Sequence, residues 1–382
     1  MSRPIACIED LRKIAKRRVP KMFYDYADSG SWTESTYRAN SDDLDKIKFR
    51  QRVAIDIDKR SVASKIIGEE VSMPVAIAPT GNTGMIHADG EILAARAAER
   101  FGVPFTLSTM SICSIEDVAA ATNKPFWFQL YVLRDREFIA GLINRAKQAG
   151  CSALVITVDL QIMGQRHKDI YNGLSTPPKP TILNMLDLAR RPHWVMGMMG
   201  TRHRQFGNIV GHVKGVTDMS SLAEWTAKQF DPRLSWDDVA WIKEQWGGKI
   251  IIKGIQEVED ARRAVDSGAD ALIVSNHGGR QLDGAPSSIR VLPEIVKAVG
   301  DQIEVHMDGG IRSGQDVLRA YAFGAKAAYI RRAYLWGIGA MGEAGLTRCL
   351  EIIHKELDLT MAFCGKCDLA QVDESILWKE TT

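Results

Sequence analysis

Lys249-Ile-Ile-Ile-Lys253 and Ala271-Leu-Ile-Val-Ser275 are two short apolar runs, and between them lies a helical stretch that stops at Gly268. A strand with one wet face would interleave polar residues. An unbroken run of this length suits a strand buried on both faces, as in a parallel sheet. Parallel neighbours need a crossover, and residues 254–270 have the length of a crossover helix. The segment therefore reads as strand, helix, parallel strand. The same unit recurs outward in both directions. Ile303-Glu-Val-His-Met307 and Lys326-Ala-Ala-Tyr-Ile330 follow it. Val75-Ala-Ile-Ala-Pro79, Pro104-Phe-Thr-Leu-Ser108, Phe126-Trp-Phe-Gln-Leu-Tyr131 and Ala153-Leu-Val-Ile-Thr-Val158 precede it.

Eight strands alternating with helices predict an α/β fold, a TIM-type (β/α)₈ barrel. Helix punctuation agrees: Ser114-Ile-Glu-Asp117 reads as a cap before Val118-Ala-Ala, and Gly150, Gly268 and Gly324 follow helical stretches as stops. Residues 1–70 are expected to form a helical lid, with a helix over Asp10-Leu-Arg-Lys-Ile-Ala-Lys-Arg17, ahead of a barrel unit over 71–382. The gap from about residue 160 to 235 is a long insertion after strand four, beyond an ordinary βα loop.

The 382 residues carry 49 basic and 47 acidic side chains, a net charge of +2, which is too even to imply nucleic acid as the main partner. Six scattered cysteines lack the density of a secreted disulfide scaffold and fit a reducing cytoplasm. Cys364-Gly-Lys-Cys367 is a lone CxxC with no second pair or nearby histidine, so no metal is expected there. The N-terminus lacks the apolar stretch of a secretory signal, and no run of 18 apolar residues predicts a membrane span.

In such barrels chemistry sits at the C-terminal ends of the strands. Here those ends are polar: Pro79-Thr80-Gly81, Ser108, Gln129 and Tyr131, Thr157 and Asp159, Lys253, Ser275-Asn-His277-Gly-Gly-Arg280, Asp308-Gly309-Gly310-Ile-Arg312, and Arg331-Arg332. A lone serine or threonine at a strand end often only caps the next helix. Convergence of a histidine, aspartates, arginines and a lysine on one mouth is harder to dismiss, because burying unpaired charge is costly. The glycines and arginines after strands seven and eight resemble a phosphate-binding corner, which implies a phosphate-bearing cofactor.

The stretch Ser275-Asn-His-Gly-Gly-Arg-Gln-Leu-Asp283 resembles the signature of the FMN-dependent 2-hydroxy-acid dehydrogenases and oxidases, a family that includes lactate dehydrogenases, glycolate oxidase and mandelate dehydrogenase. The likeness extends to Pro20-Lys-Met-Phe-Tyr-Asp-Tyr26, Ala78-Pro-Thr80, Phe128-Gln-Leu-Tyr131, Thr157-Val-Asp159, Gly164-Gln-Arg166, Lys253-Gly and Asp308-Gly-Gly. It is strongest towards the bacterial L-lactate and mandelate dehydrogenases. The resemblance implies FMN as cofactor and oxidation of L-lactate to pyruvate. His277 would be the base, with Asp159 stabilising its imidazolium. Arg166 and Arg280 would clamp the substrate carboxylate, and Tyr26 and Tyr131 would orient the substrate. Lys253 would sit by the flavin N1 and O2 edge. Pro79, Thr80, Gly81, Ser108, Gln129, Thr157 and Ser275 would line the flavin and ribityl chain, with Asp308, Gly309, Gly310, Arg312, Arg331 and Arg332 towards the phosphate.

Three positions depart from the family pattern. Arg331-Arg332 replaces a Gly-Arg pair whose glycine amide approaches the FMN phosphate, so Arg331 either adds charge there or blocks the approach. Gln161-Ile162 replaces a proline beyond Asp159, and Gly81 stands where the oxidases carry alanine, which favours an acceptor other than oxygen. Within 178–215, Lys179, Arg190, Arg191, Arg202, Arg204 and Lys214 face the single acid Asp187, interleaved with Trp194, Val195, Met196, Met198 and Met199. This composition fits a segment on an anionic membrane surface. The expected protein is cytoplasmic, peripheral on the inner face of the cell membrane, tetrameric, and passes electrons to a quinone or cytochrome. The alternatives are an oxygen-dependent oxidase, a mandelate dehydrogenase, or a non-catalytic flavin- or phosphate-binding barrel.

Overall fold

The computed structural model describes residues 4–174, 181–213, 216, 225 and 229–378. An antiparallel hairpin, β1 (Ser64–Ile66) and β2 (Glu69–Val71), precedes eight parallel strands. These are β3 (Val75–Ile77), β4 (Thr106–Ser108), β5 (Trp127–Tyr131), β6 (Ala153–Thr157), β7 (Lys249–Ile255), β8 (Ala271–Val274), β9 (Glu304–Asp308) and β10 (Ala327–Ile330). They lie in the order β3-β10-β9-β8-β7-β6-β5-β4, and a parallel bridge from Ile77 to Phe105 joins the two ends into a barrel. Every apolar run read from the sequence is one of these strands.

Alternation along the strands divides the core in two. Ala76, Ala78, Trp127, Ala153, Val155, Ile251, Ala271, Ile273, Ala327 and Tyr329 form one buried cluster, the barrel interior. Their neighbours Ile77, Phe128, Leu154, Ile252 and Leu272 belong to the larger cluster shared with the helices. Continuing the inward parity to the strand ends reaches Ser108, Gln129, Thr157, Lys253, Ser275, Asp308 and Arg331. The polar site is thus the top layer of the barrel interior.

The segment before the barrel is helical only in part. It forms α1 (Ile8–Arg18), α2 (Lys21–Ala27) and α3 (Ser35–Lys46), but ends in the β1–β2 hairpin, whose Ile66, Ile67 and Val71 join the interior cluster. The turn has positive φ at both central residues, Ile67 (43°) and Gly68 (80°), the two-residue geometry that matches strand twist. Isoleucine disfavours that conformation, so the sequence carries little sign of the turn. Glu304 accepts from the Ile67 amide at 2.9 Å, which ties the hairpin to β9.

Capping follows the sequence. Ser114 Oγ accepts from the Asp117 amide at 3.1 Å and Asp117 returns a bond to the Ser114 amide at 3.0 Å, while Gly150, Gly268 and Gly324 adopt φ of 73°, 67° and 95°. The insertion contains helices Ile182–Ala189 and Pro192–Gly200. Lys179 and Lys214 lie outside the described residues. Trp194 turns inward rather than towards a lipid surface: its ring stacks on Phe23 at 5.4 Å and its indole donates to the Met85 carbonyl at 2.9 Å. The exposed apolar groups are instead Ile182, Leu183, Met185, Leu186, Met196 and Met199. No helix among the described residues is long and apolar enough to cross a membrane.

Candidate active site

The inward strand ends form two connected polar groups. Ser108 Oγ donates to Gln129 Oε1 and Gln129 Nε2 donates to Thr157 Oγ1, both at 3.0 Å. Buried Lys253 donates to Ser275 Oγ at 2.7 Å and pairs with Asp308 Oδ2 at 2.7 Å, so its charge is balanced within the barrel. Pro79, Thr80 and Gly81 follow β3. A Cβ on Gly81 would stand 2.9 Å from the Met110 carbonyl oxygen and 3.5 Å from the Tyr26 hydroxyl, so that hydroxyl, delivered by α2, reaches this loop.

After β8 the chain turns through three successive left-handed residues, His277 (φ 57°), Gly278 (67°) and Gly279 (70°). A Cβ on Gly279 would lie 2.4 Å from the Tyr37 amide nitrogen, so only glycine fits there. For a histidine this conformation costs on the order of 1–3 kcal/mol and must be held from outside. Ser275 Oγ accepts from the His277 amide at 3.1 Å, Asn276 Oδ1 accepts from the Gly279 amide at 3.0 Å, and the Asn276 and Asn40 amides exchange two bonds of 2.9 Å. The turn aims His277 at Asp159, with Nδ1 and Oδ1 2.9 Å apart.

Burial pushes the His277 pKa below its usual value; Asp159 opposes this, and Lys253 and Arg166 add to it. Burial works to raise Asp159, but His277 and Lys253 outweigh it and hold the carboxyl below the usual range. The pair at neutral pH is therefore a neutral imidazole donating from Nδ1 to a carboxylate. This leaves Nε2 as the basic nitrogen.

Three guanidinium groups meet the C-terminal end of α2. Arg280 Nη1 donates to the carbonyls of Tyr26 (2.7 Å) and Ser29 (3.0 Å), Arg331 Nη1 to Ala27 (3.0 Å), and Arg332 Nη2 to Ser29 and Gly278 (both 2.9 Å). Tyr26 and Ala27 are in the last turn of α2, whose carbonyls a helix end leaves without partners, at the negative end of its dipole. Arg280 also lies 4.8 Å over the Tyr26 ring and Arg332 4.3 Å over Tyr37. Burial, then the neighbouring Arg166 and Arg331 charges, depresses the Arg280 pKa well below the usual value. Burial and then Arg331 bring Arg332 down to about 9. Arginine keeps its proton in proteins, so these depressions measure an unmet demand for negative charge. The acids at hand are few: Asp159 faces His277, and Asp169 Oδ2 stands 3.8 Å from Arg166 Nη1.

Tyr131, at the end of β5, is pushed up by burial, then by Tyr26 and Asp159, and stays a neutral hydroxyl. The structure thus gathers His277, Asp159, Arg166, Arg280, Tyr26 and Tyr131 at one mouth, with Lys253 and Asp308 beneath. Gly309, Gly310, Arg312, Arg331 and Arg332 border an adjoining cavity of about 20 Å³. Sequence reasoning missed Ser29, Tyr37 and Asn40, which hold the arginines and the His277 turn. Asp283 closes the signature and binds α3 through Thr33, Ser35 and Thr36 at 2.5–2.9 Å.

A profile of FMN-dependent dehydrogenases matches residues 15–379. The L-lactate dehydrogenase of Caulobacter vibrioides is 45% identical over 375 residues, covering 98% of this chain and 97% of that relative. The L-lactate dehydrogenase of Ectopseudomonas mendocina is 43% identical over 378 residues, covering 98% and 99%. The chain belongs to the FMN-dependent dehydrogenase family. The crystal structure of the monotopic membrane protein (S)-mandelate dehydrogenase superposes with a TM-score of 0.94 at 35% identity, covering 99% of this chain and all of that one.

As an FMN-dependent dehydrogenase, the protein uses FMN. Its lining suits that group: Arg332 Nε, Asp308 Oδ1 and Gln256 Oε1 are buried polar atoms without hydrogen-bond partners, and both donors and acceptors are among them. Arg312 lies between Tyr37 (5.6 Å) and Trp336 (5.5 Å), a cation suited to a phosphate. Arg331 is the exception. Its side chain follows the inward parity of Tyr329 and binds the Ala27 carbonyl, among neighbours that include Tyr26, Arg166 and Tyr131. The adjoining cavity has room for about one water. A phosphate seated beside Gly309 and Gly310 would compete with the Arg331–Ala27 contact for that space.

Arg331→Gly apoprotein is expected to bind FMN about tenfold or more tightly than the parent. The parent gives up a charge-assisted hydrogen bond of about 1.5–3 kcal/mol that the variant lacks. Titration by flavin fluorescence quenching reads the difference; weaker binding by the variant would instead make Arg331 a phosphate ligand.

Proposed function

We propose that this protein oxidises L-lactate to pyruvate, with His277 as the base and a membrane quinone or cytochrome as the final electron acceptor. The observation that carries this reading is the His277–Asp159 pair at 2.9 Å, set beside the Arg166–Arg280 clamp. Oxidising a 2-hydroxy acid removes two electrons and two protons. FMN, when bound, supplies the two-electron acceptor. Pro79, Thr80, Gly81, Ser108, Gln129, Thr157 and Ser275 would hold it, with Gly309, Gly310, Arg312 and Arg332 towards its phosphate. Lys253 would stabilise negative charge on the reduced ring.

The chain's own residues do the rest. Arg166 and Arg280 bind the substrate carboxylate, using the unpartnered Nε of the first and Nη2 of the second. The Tyr26 and Tyr131 hydroxyls orient the carboxylate and the hydroxyl. His277 Nε2 takes one of the two protons, Asp159 stabilises the imidazolium that forms, and the other proton would leave with the electron pair to the flavin. The likeness to (S)-mandelate dehydrogenase supports a second reading, in which a larger aryl hydroxy acid is the preferred substrate.

The exposed Ile182, Leu183, Met185 and Leu186, flanked by Arg190 and Arg191, support peripheral membrane attachment through the helix Ile182–Ala189. The monotopic neighbour supports the same reading.

His277→Gln is expected to keep FMN and to slow flavin reduction by L-lactate about 10²–10⁴-fold, the usual contribution of a general base. An unchanged rate in anaerobic stopped flow would remove His277 from that role. Because the His277 pKa is lowered, protonation should switch the parent off only as the pH falls below the ordinary histidine value near 6.5. An acid limb above that value contradicts this electrostatic reading.

Changing Ile182, Leu183 and Leu186 together to serine is expected to release the protein from sedimenting anionic vesicles while flavin reduction persists. Undiminished sedimentation would put the anchor elsewhere.

A further inference from the structure

Among the described residues outside the barrel mouth, one cluster of side chains has metal-ligand chemistry. Asp89 lies at the start of the helix Gly90–Phe101, Cys113 in the loop after β4, and His203 in the insertion just beyond the helix Pro192–Gly200. One ligand atom from each falls within 4.8 Å of the others. His203 Nδ1 is 2.6 Å from Asp89 Oδ1, and Cys113 is fully buried. Tetrahedral zinc bonds of about 2.0–2.3 Å put neighbouring ligand atoms roughly 3.3–3.8 Å apart, so the three need only small adjustments.

A second observation points to a cation independently. Glu91 is 1% exposed and its Oε2 has no hydrogen-bond partner, although Oε1 accepts from the Ile112 amide at 3.0 Å. Its carboxyl acts on the Cys113 thiol. Both side chains are buried, Cys113 at 0% and Glu91 at 1% exposed, and they lie against one another. A thiol and a carboxyl enclosed together call for either protons or a positive ion. On the far side of the imidazole, His203 Nε2 stands 3.2 Å from Asp117 Oδ1. A carboxylate behind a histidine is the usual outer support of a metal-bound imidazole. Arg202 Nε also reaches His203 Nε2, at 3.1 Å, and Arg202 Nη2 pairs with the same Asp117 Oδ1 at 3.0 Å, so this exposed side chain has to turn away for the imidazole to face Asp117 alone.

We infer that Asp89, Cys113 and His203, backed by Glu91, form a structural site for a divalent transition-metal ion of the zinc type. The donor set of one nitrogen, one sulfur and carboxylate oxygens matches the borderline-soft character of that ion. Binding replaces the thiol proton, which leaves to solvent, with a metal–thiolate bond; no electron is transferred. The site would clip the insertion, through His203, onto loops that follow β3 and β4. One of these loops carries Gly81 and the other Met110, whose carbonyl limits the space at Gly81. A bound ion would thus brace the wall of the mouth.

The FMN-loaded protein, cleared of metal by dialysis, is titrated with zinc chloride against a chromophoric chelator. One equivalent per chain is expected. His203→Gln, at a partly exposed position that tolerates change, should weaken binding at least about tenfold. Cys367→Ser, which disables the separate Cys364–Cys367 pair, should leave it unchanged. Cobalt(II) provides a second readout: a thiolate-to-metal charge-transfer band is expected in the parent, and none in Cys113→Ser. Absence of binding to the parent overturns the proposal. So does undiminished binding by His203→Gln, or loss of binding in Cys367→Ser.

Discussion

The active-site mouth depends on how the C-terminal end of α2 meets three arginines. Arg280, Arg331 and Arg332 leave the barrel from the ends of β8 and β10, and their hydrogen bonds run to the carbonyls of Tyr26, Ala27 and Ser29. A helix end with unpartnered carbonyls is one of the few places a protein can lodge several guanidinium groups without acids. The contact fixes the segment that delivers Tyr26 and brings Tyr37 over Arg332. It also leaves Arg280 and Arg332 short of negative charge, which suits the roles proposed for them at the anionic ends of substrate and cofactor.

The second constraint is the left-handed turn at His277. It is strained for histidine, and it stands only because Gly279 admits the Tyr37 backbone and Asn276 is paired with Asn40. Both supports come from α3, so the N-terminal segment shapes the surroundings of the proposed base, His277, as well as of the proposed clamp residue Arg280. Below them, Lys253 and Asp308 neutralise one another, and deeper in the barrel the buried His306 lies between the Tyr329 hydroxyl (3.2 Å) and Glu304 (3.1 Å). The low dielectric of the interior strengthens each of these interactions.

Much of this was legible in the sequence because it is periodic or local. The eight strands are continuous apolar runs, and the inward residue at each strand end follows from parity, so the polar ring could be read from Ser108 round to Arg331. The Ser114 cap and the glycine stops are local signals too. What escaped was tertiary. The turn at Ile67-Gly68 places an isoleucine at positive φ against its preference, so the hairpin flooring the barrel carries no recognisable turn residues. Trp194 sits in a basic, methionine-rich stretch, yet its partners are Phe23 and Met85, far away in the chain. Ser29, Tyr37 and Asn40 are ordinary residues until the fold brings arginines and Asn276 to them. Asp89, Cys113 and His203 are likewise spread over three elements, with no spacing that marks them as partners.

The central claim is that this mouth performs stereospecific two-electron oxidation of a small 2-hydroxy acid. The most direct measurement is anaerobic mixing of the FMN-loaded parent with L-lactate and, separately, D-lactate, following the visible flavin absorbance. The account predicts bleaching by L-lactate with formation of pyruvate, and none by D-lactate. A flavin that stays oxidised with L-lactate and with the other L-2-hydroxy acids, or that bleaches equally with both enantiomers, would contradict it.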